Sequence, residues 1–200
     1  MVMMFALIIS VSAQKHIEEY NPEALFNEGV LLFRNQEYGA ALSTFAQYRA
    51  LANDPKKQRC VDAQYYEAVS ALYLDHADGP AKVIQFVNDN PSSTWARHAN
   101  FLYASHLFQE KKYKEALAIY VMTDATSLSK DEAQQMQFNM GYAYFQSGEL
   151  DKSMPLFHGL MMNEGKYQDQ ARYYYAHIQY VKERYNEALE NFRRLRTHPD

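Results

Sequence analysis

The sequence predicts an all-α fold built of stacked helical hairpins. Three observations carry that prediction: a pattern of small residues and rings recurs five times, each recurrence has helical periodicity, and helix breakers are scarce. Seven Gly and six Pro among 200 residues are about half the usual share. So few breakers exclude a disordered, collagenous or many-turned β-sandwich chain. The length allows one ordinary domain or one short repeat array. The mean hydropathy is −0.51 although 48% of residues are hydrophobic, because tyrosine, with 17 copies, counts as a ring but not as a greasy one.

The cleanest recurrences are Tyr38-x-x-Ala41-Leu42-x-x-Phe45, Tyr113-x-x-Ala116-Leu117-x-x-Tyr120 and Tyr185-x-x-Ala188-Leu189-x-x-Phe192, with Leu150-x-x-Ser153-Met154-x-x-Phe157 as a looser fourth. Counting by Ala41, Ala81, Ala116, Ser153 and Ala188, the spacing runs from 35 to 40 residues. Before each lies an amphipathic stretch centred on Gly29, Ala68, Ala104, Gly141 or Ala176. Small residues on both helices let the pair approach closely, and a ring four residues on lies on the same face and fills the crevice. One hairpin cannot bury its apolar face alone, so neighbours must stack.

The array is expected over 22–200, in units of about 22–55, 61–91, 94–128, 131–165 and 168–200. Asn21-Pro22-Glu23 reads as a cap, a first-turn proline and an early acid. Asn53-Asp54-Pro55, Asn90-Pro91-Ser92 and His198-Pro199 reset the chain between helices. Two features depart from the pattern. Asp75 to Pro80 replaces an ordinary short turn and leaves a short helix around Ala81 to Asn88, and Pro155 is expected within a first helical turn.

On Leu25, Gly29, Leu32, Tyr38, Ala41, Phe45 and Pro55, the first unit resembles the tetratricopeptide repeat. Gly141, Tyr144, Gly148 and Phe157 match it in the fourth unit, and Ala176, Tyr185, Ala188, Phe192 and Pro199 in the fifth. The resemblance implies a right-handed α-solenoid of about five helix-turn-helix repeats. Its irregular spacing, and the opening Asn90-Pro91-Ser92-Ser93-Thr94-Trp95-Ala96-x-x-Ala99, are similar to bacterial cell-envelope members of the family, the outer-membrane assembly lipoprotein and Tol-Pal coordinator types.

The chain offers little to catalysis. Lys and Arg number 20 against 24 Asp and Glu, a net charge of −4, which disfavours nucleic acid as a partner. A single cysteine, Cys60, excludes an internal disulfide and any multi-cysteine zinc site. The seven histidines form no H-E-x-x-H, and Asp75 and Asp78 lack the spacing of a calcium loop. Neither a phosphate-binding glycine loop nor a nucleophile elbow is present. A protein without catalytic residues, metal or cofactor is expected, working as a binding scaffold.

Met1 to Val11 is almost wholly apolar, and Val11-Ser12-Ala13 supplies small residues before Gln14. About 11 residues are too few to span a bilayer but match the core of a signal peptide. Residues 1–13 are therefore read as a signal peptide cleaved after Ala13, with 14–21 a short leader and the mature protein periplasmic. No Lys or Arg precedes the run, so an uncleaved hydrophobic N-terminus on a cytoplasmic regulatory or adaptor module is the alternative. The expected partner is a protein or peptide of the envelope. No transmembrane span is expected, and any membrane association would run through that partner.

Aligned on their small central residues, the first helices of the five hairpins put Phe26, Tyr65, Phe101, Phe138 and Tyr173 in one row. Phe33, Leu72, Phe108, Phe145 and Tyr180 form a second row seven residues on, with Tyr142 and His177 among the residues between. The resemblance implies that these helices line a concave, partner-binding face. The residues put forward for binding are Phe26, Phe33, Tyr65, Phe101, Phe108, Phe138, Tyr142, Phe145, Tyr173 and Tyr180. The competing reading makes the same rings core between adjacent helices. A clamp for a terminal carboxylate is not expected, since only Asn27 and Asn139 match its Lys, Asn and Arg set.

Overall fold

The computed structural model describes residues 21–52 and 56–196, and among these all regular structure is helical. The signal peptide, most of the leader, Asn53-Asp54-Pro55 and His198-Pro199 lie outside the described residues. The chain divides into two compact units, Met1–Ala96 and Arg97–Asp200. The first holds α1 (Pro22–Arg34), α2 (Tyr38–Leu51), α3 (Gln58–Tyr73), α4 (Gly79–Asp89) and the first turn of α5 (Thr94–Gln109). The second holds the rest of α5, α6 (Tyr113–Met122), a 3-10 turn at Ala125–Ser127, α7 (Lys130–Gln146), α8 (Leu150–Met161), α9 (Gln168–Val181) and α10 (Tyr185–Arg196).

Local chemistry sets the helix ends. The Asn21 side chain accepts from the Glu23 N–H at 3.0 Å, with Pro22 in the first turn where a missing donor costs nothing. Ser129 and Glu132 form a reciprocal capping box at the start of α7. Glu132 also reaches His98 Nε2 at 2.7 Å, tying α7 to α5. Burial works against its charge, but the bonds with His98 and Ser129 prevail and hold the carboxyl below its usual range.

All five hairpin turns have one geometry. Gln36, Asp75, Lys111, Gly148 and Glu183 take left-handed backbone angles one residue past the helix cap. The next N–H, of Glu37, His76, Lys112, Glu149 or Arg184, donates back to the carbonyl of Leu32, Ala71, Leu107, Tyr144 or Gln179. Glycine is the unstrained residue for such an angle, yet it stands at one turn of the five. The glycine shortage therefore costs on the order of 1 kcal/mol at each of the other four.

Within a hairpin the small residue of the first helix meets the ring of the second. A Cβ on Gly29 would lie 2.8 Å from the Phe45 ring, and one on Gly141 would lie 3.0 Å from Phe157. A ring three residues before that small residue then packs on the same partner. Phe26–Phe45, Tyr65–Phe86, Phe101–Tyr120, Phe138–Phe157 and Tyr173–Phe192 have centroids 5.8, 5.8, 6.4, 5.6 and 5.9 Å apart. These are tilted or edge-on pairs, the arrangement ring quadrupoles favour.

Two expectations are corrected here. Ala81 is exposed, and the small contact residue of the second hairpin is the buried Gly79. A bend through His76–Asp78 delivers Gly79 against α3, where a Cβ would stand 2.9 Å from the Ala71 carbonyl oxygen. Val83 and Phe86 then follow on the buried face. Pro155 lies beyond the first turn, inside α8. The N–H hydrogen bond it lacks would have been donated to the carbonyl of Asp151, an exposed residue whose carbonyl water can satisfy.

Between hairpins, the residue two before the small centre of the next first helix covers the preceding ring. Tyr66 stacks on Phe45 at 4.9 Å and Tyr174 on Phe157 at 5.2 Å. At the α6–α7 junction Asn139 takes that place and donates to the Tyr120 hydroxyl at 2.8 Å, with Ser105 on its other side at 2.9 Å. The buried Glu67 carboxylate binds Arg49 of α2 at 2.7 Å and Lys82 of α4 at 2.9 Å, which compensates its burial. Trp95 stacks on Tyr65 at 4.4 Å and donates to Asp62 at 2.9 Å.

Gly79→Ala forces a Cβ onto backbone that no rotamer change can move, and should destabilise by about 1–3 kcal/mol. Lys111→Gly relieves a left-handed lysine and should stabilise by about 1 kcal/mol. Urea midpoints of the two variants against the parent check both signs.

Candidate protein-binding surface

The rows read from the sequence divide by what packs on them. In the first unit Phe33 lies edge-on to Tyr38 at 5.4 Å and to Tyr66 of the next first helix at 4.9 Å. Phe26 lies between Phe45 and Tyr48, under the Arg59 guanidinium at 5.1 Å. Tyr65 is only 2% exposed, closed over by Trp95 and Phe86. In the second unit Phe101 is also 2% exposed, in a core with Ala104, Tyr120 and Met136. Tyr65 and Phe101 have no surface to offer a partner, because helix packing consumes both faces of their rings.

Four of the six remaining candidates in the second unit form one ring chain. Phe108 meets Tyr113 at 5.3 Å and Tyr142 at 5.6 Å. Tyr142 meets Tyr174 at 5.3 Å, and Tyr174 also covers Phe145 at 5.4 Å and Phe138 at 6.0 Å. Phe108, Phe138, Tyr142 and Phe145 are thus half-buried, each roofed by a ring of the next first helix. Tyr173 and Tyr180 have no such roof among the described residues and are 49% and 57% exposed.

These two tyrosines belong to the described hairpin with the most exposed large apolar side chains. Tyr173 leans on Phe192 and Tyr180 on Tyr185, at 5.4 Å in the latter pair. Val181, Tyr185 and Leu189 of the same hairpin are also exposed. The repeat pattern contains Tyr185 and Leu189, but nothing in their spacing marks them as uncovered. Their counterparts in the first hairpin, Tyr38 and Leu42, are half-buried, with Tyr38 against Tyr73 of α3.

Burial raises the Tyr113, Tyr174 and Tyr120 hydroxyls above the usual phenol range. Tyr142 adds to the rise at Tyr113 and Tyr174, whereas the Ser105 and Asn139 bonds oppose it at Tyr120. These rings therefore stay neutral at physiological pH and act as hydrophobic and hydrogen-bonding groups. In the first unit a cleft of about 450 Å³ is lined by Glu23, Tyr48, Lys57, Arg59 and Cys60, and Glu23 pairs with Arg59 across it. Among the described residues no three His, Cys, Asp or Glu stand together to hold a metal. No helix among them is long and apolar enough to cross a membrane.

No family model matches the chain, and no curated protein matches it. Solved structures share its fold. MamA of strain AMB-1 is 17% identical, with 87% of this chain and 96% of that one covered and a TM-score of 0.63. The apo form of RapI is 15% identical over 93% of this chain and 57% of its own, with a TM-score of 0.67. The TPR-like repeats of a Podosopora anserina kinesin light chain are 13% identical over 88% and 92%, with a TM-score of 0.62. The fold is an all-α solenoid of the tetratricopeptide type.

Truncation separates the two kinds of ring. Phe101→Ala should cost about 3–5 kcal/mol of stability, as for a fully buried aromatic. Tyr180→Ala, at the open face, should stay within roughly 0.5–1 kcal/mol of the parent by denaturant unfolding.

Proposed function

We propose that this chain is a non-catalytic protein-binding module whose contact surface is the open ring face of its last described hairpin. The observation that carries the reading is the exposure of Tyr173 and Tyr180, together with that of Val181, Leu189 and Tyr185, the last packed on Tyr180. Large rings with few rotatable bonds are the side chains that anchor protein interfaces. The inner hairpins indicate the shape of ligand: faces of the same make receive a helix that lays a ring or an amide on the second-helix aromatic. A helical segment of a partner protein is therefore the ligand such a face suits.

The setting proposed for this activity is the bacterial cell envelope. Its support is the apolar run ending in Val11-Ser12-Ala13 and the likeness of the irregular repeats to envelope proteins of this type. Nothing in the described residues favours the cytoplasmic adaptor reading over it.

A photocrosslinking amino acid placed at Tyr180 in the native cell tests the surface, with the exposed Met162 as a control position. A discrete polypeptide adduct at 180 and none at 162 is expected. No adduct at 180, or equal yields at both, removes the reading. The mass of the same purified chain reports the setting, since a protein beginning at Gln14 agrees with export and an intact Met1 contradicts it.

A further inference from the structure

We infer that the ring stripe running over α5, α7 and α9 of the second unit is a further binding surface, and that it takes an uncharged, proline-rich segment of a partner in the extended polyproline conformation. The inference goes beyond the binding reading above, which concerns a helix at the last described hairpin. It uses neither Tyr173 nor Tyr180.

Helical periodicity puts the residues one, four and five after each small centre on one face. In the second unit the first of these places holds Ser105, Tyr142 and His177, the last holds Gln109, Gln146 and Val181, and the middle one holds rings. None of them is Asp, Glu, Lys or Arg, in a chain of which 22% is charged. The first unit differs, with Arg34 five after Gly29, and Val69 and Leu72 of α3 buried. Ring contacts join the stripe from helix to helix. Phe108 meets Tyr142 at 5.6 Å, and Phe145 meets His177 at 5.3 Å. All four are half-buried and keep part of their surface in water, while Gln109 and Gln146 are exposed. The charges that follow α5, Glu110 and Lys112, pair with each other at 3.0 Å.

This chemistry selects the ligand. A charged segment would lose hydration here and find no counter-ion. A helix satisfies its own backbone, so the amides and the phenol of the stripe would meet only its side chains. A polyproline helix is the opposite case. Its carbonyls have no internal bonds and its prolines no N–H, so it needs donors and presents apolar rings. Gln109, Gln146 and Tyr142 supply donors, and Phe108 and Phe145 supply the aromatic lining on which such segments dock. Spacing agrees with this. Helices that touch through side chains have axes about 8–10 Å apart, and a polyproline helix turns once in three residues, about 9 Å. A segment laid across α5, α7 and α9 therefore presents the same edge to each helix in turn.

Calorimetric titration of the full chain with decaproline, its ends acetylated and amidated, tests this against an uncharged Gly-Ser decamer. Decaproline should bind saturably and about tenfold or more tighter than the flexible peptide, because its conformation is already formed. Gln146→Ala, at an exposed site, and Tyr142→Phe, which keeps the ring, should each weaken binding about two- to tenfold, the share of one hydrogen bond. Met162→Ala, exposed but off the stripe, should leave it unchanged. No saturable binding, equal affinity for the two peptides, or full affinity in both stripe variants overturns the inference. The Tyr180 crosslink reads the other surface. An adduct there without decaproline binding removes this inference alone, and decaproline binding without an adduct removes the helix reading alone.

Discussion

The contact on which the rest of this structure depends is that between a small residue at the centre of one helix and an aromatic ring on the next. Gly29 against Phe45 and Gly141 against Phe157 leave no room for a Cβ, so each helix pair closes until ring meets backbone. That approach sets the height at which Phe26, Phe138 and Tyr173 reach the same rings edge-on. It also opens the groove into which the next helix lays Tyr66, Asn139 or Tyr174. The second hairpin keeps the principle with different residues. Its ring is Phe86, on Tyr65, and its turn delivers Gly79 rather than Ala81 against the backbone of α3.

The same geometry explains why rings are at once the core and the candidate surface. A ring on a first helix has one side on its own hairpin and the other under the hairpin that follows. Tyr65 and Phe101 are closed on both sides, while Phe108, Phe138, Tyr142 and Phe145 keep an edge free. Tyr173 and Tyr180 have no second cover among the described residues, and with Leu189 and Tyr185 they make the largest set of exposed rings and aliphatics on one described hairpin. Binding at this place would use the forces that join one hairpin to the next, which is why the internal junctions describe what fits.

Much of this was legible in the sequence because small residues and rings recur at fixed intervals, and helical periodicity converts interval into face. What was not legible has physical causes. The left-handed turn residues Gln36, Asp75, Lys111 and Glu183 carry no glycine signature, so five identical turns look unrelated. Counting by alanine put Ala81 in the series, since spacing cannot show which residue a bend brings against its neighbour. The covering position is Tyr in two junctions and Asn in a third, a change of residue type that hides a constant role. Exposure of the rows was undecidable from periodicity alone, because cover comes from the next hairpin and not from the helix that bears the ring.

The measurement that addresses the central contact most directly is a double-mutant cycle on Gly29 and Phe45, read by chemical denaturation. With Phe45 present and wholly buried, the ring has nowhere to retreat, so Gly29→Ala should destabilise in spite of alanine's advantage of roughly 1 kcal/mol in a helix. With Phe45→Leu in place, the same Gly29→Ala change should become neutral or stabilising, a coupling of about 0.5–3 kcal/mol. Equal effects of Gly29→Ala in both backgrounds would contradict the account.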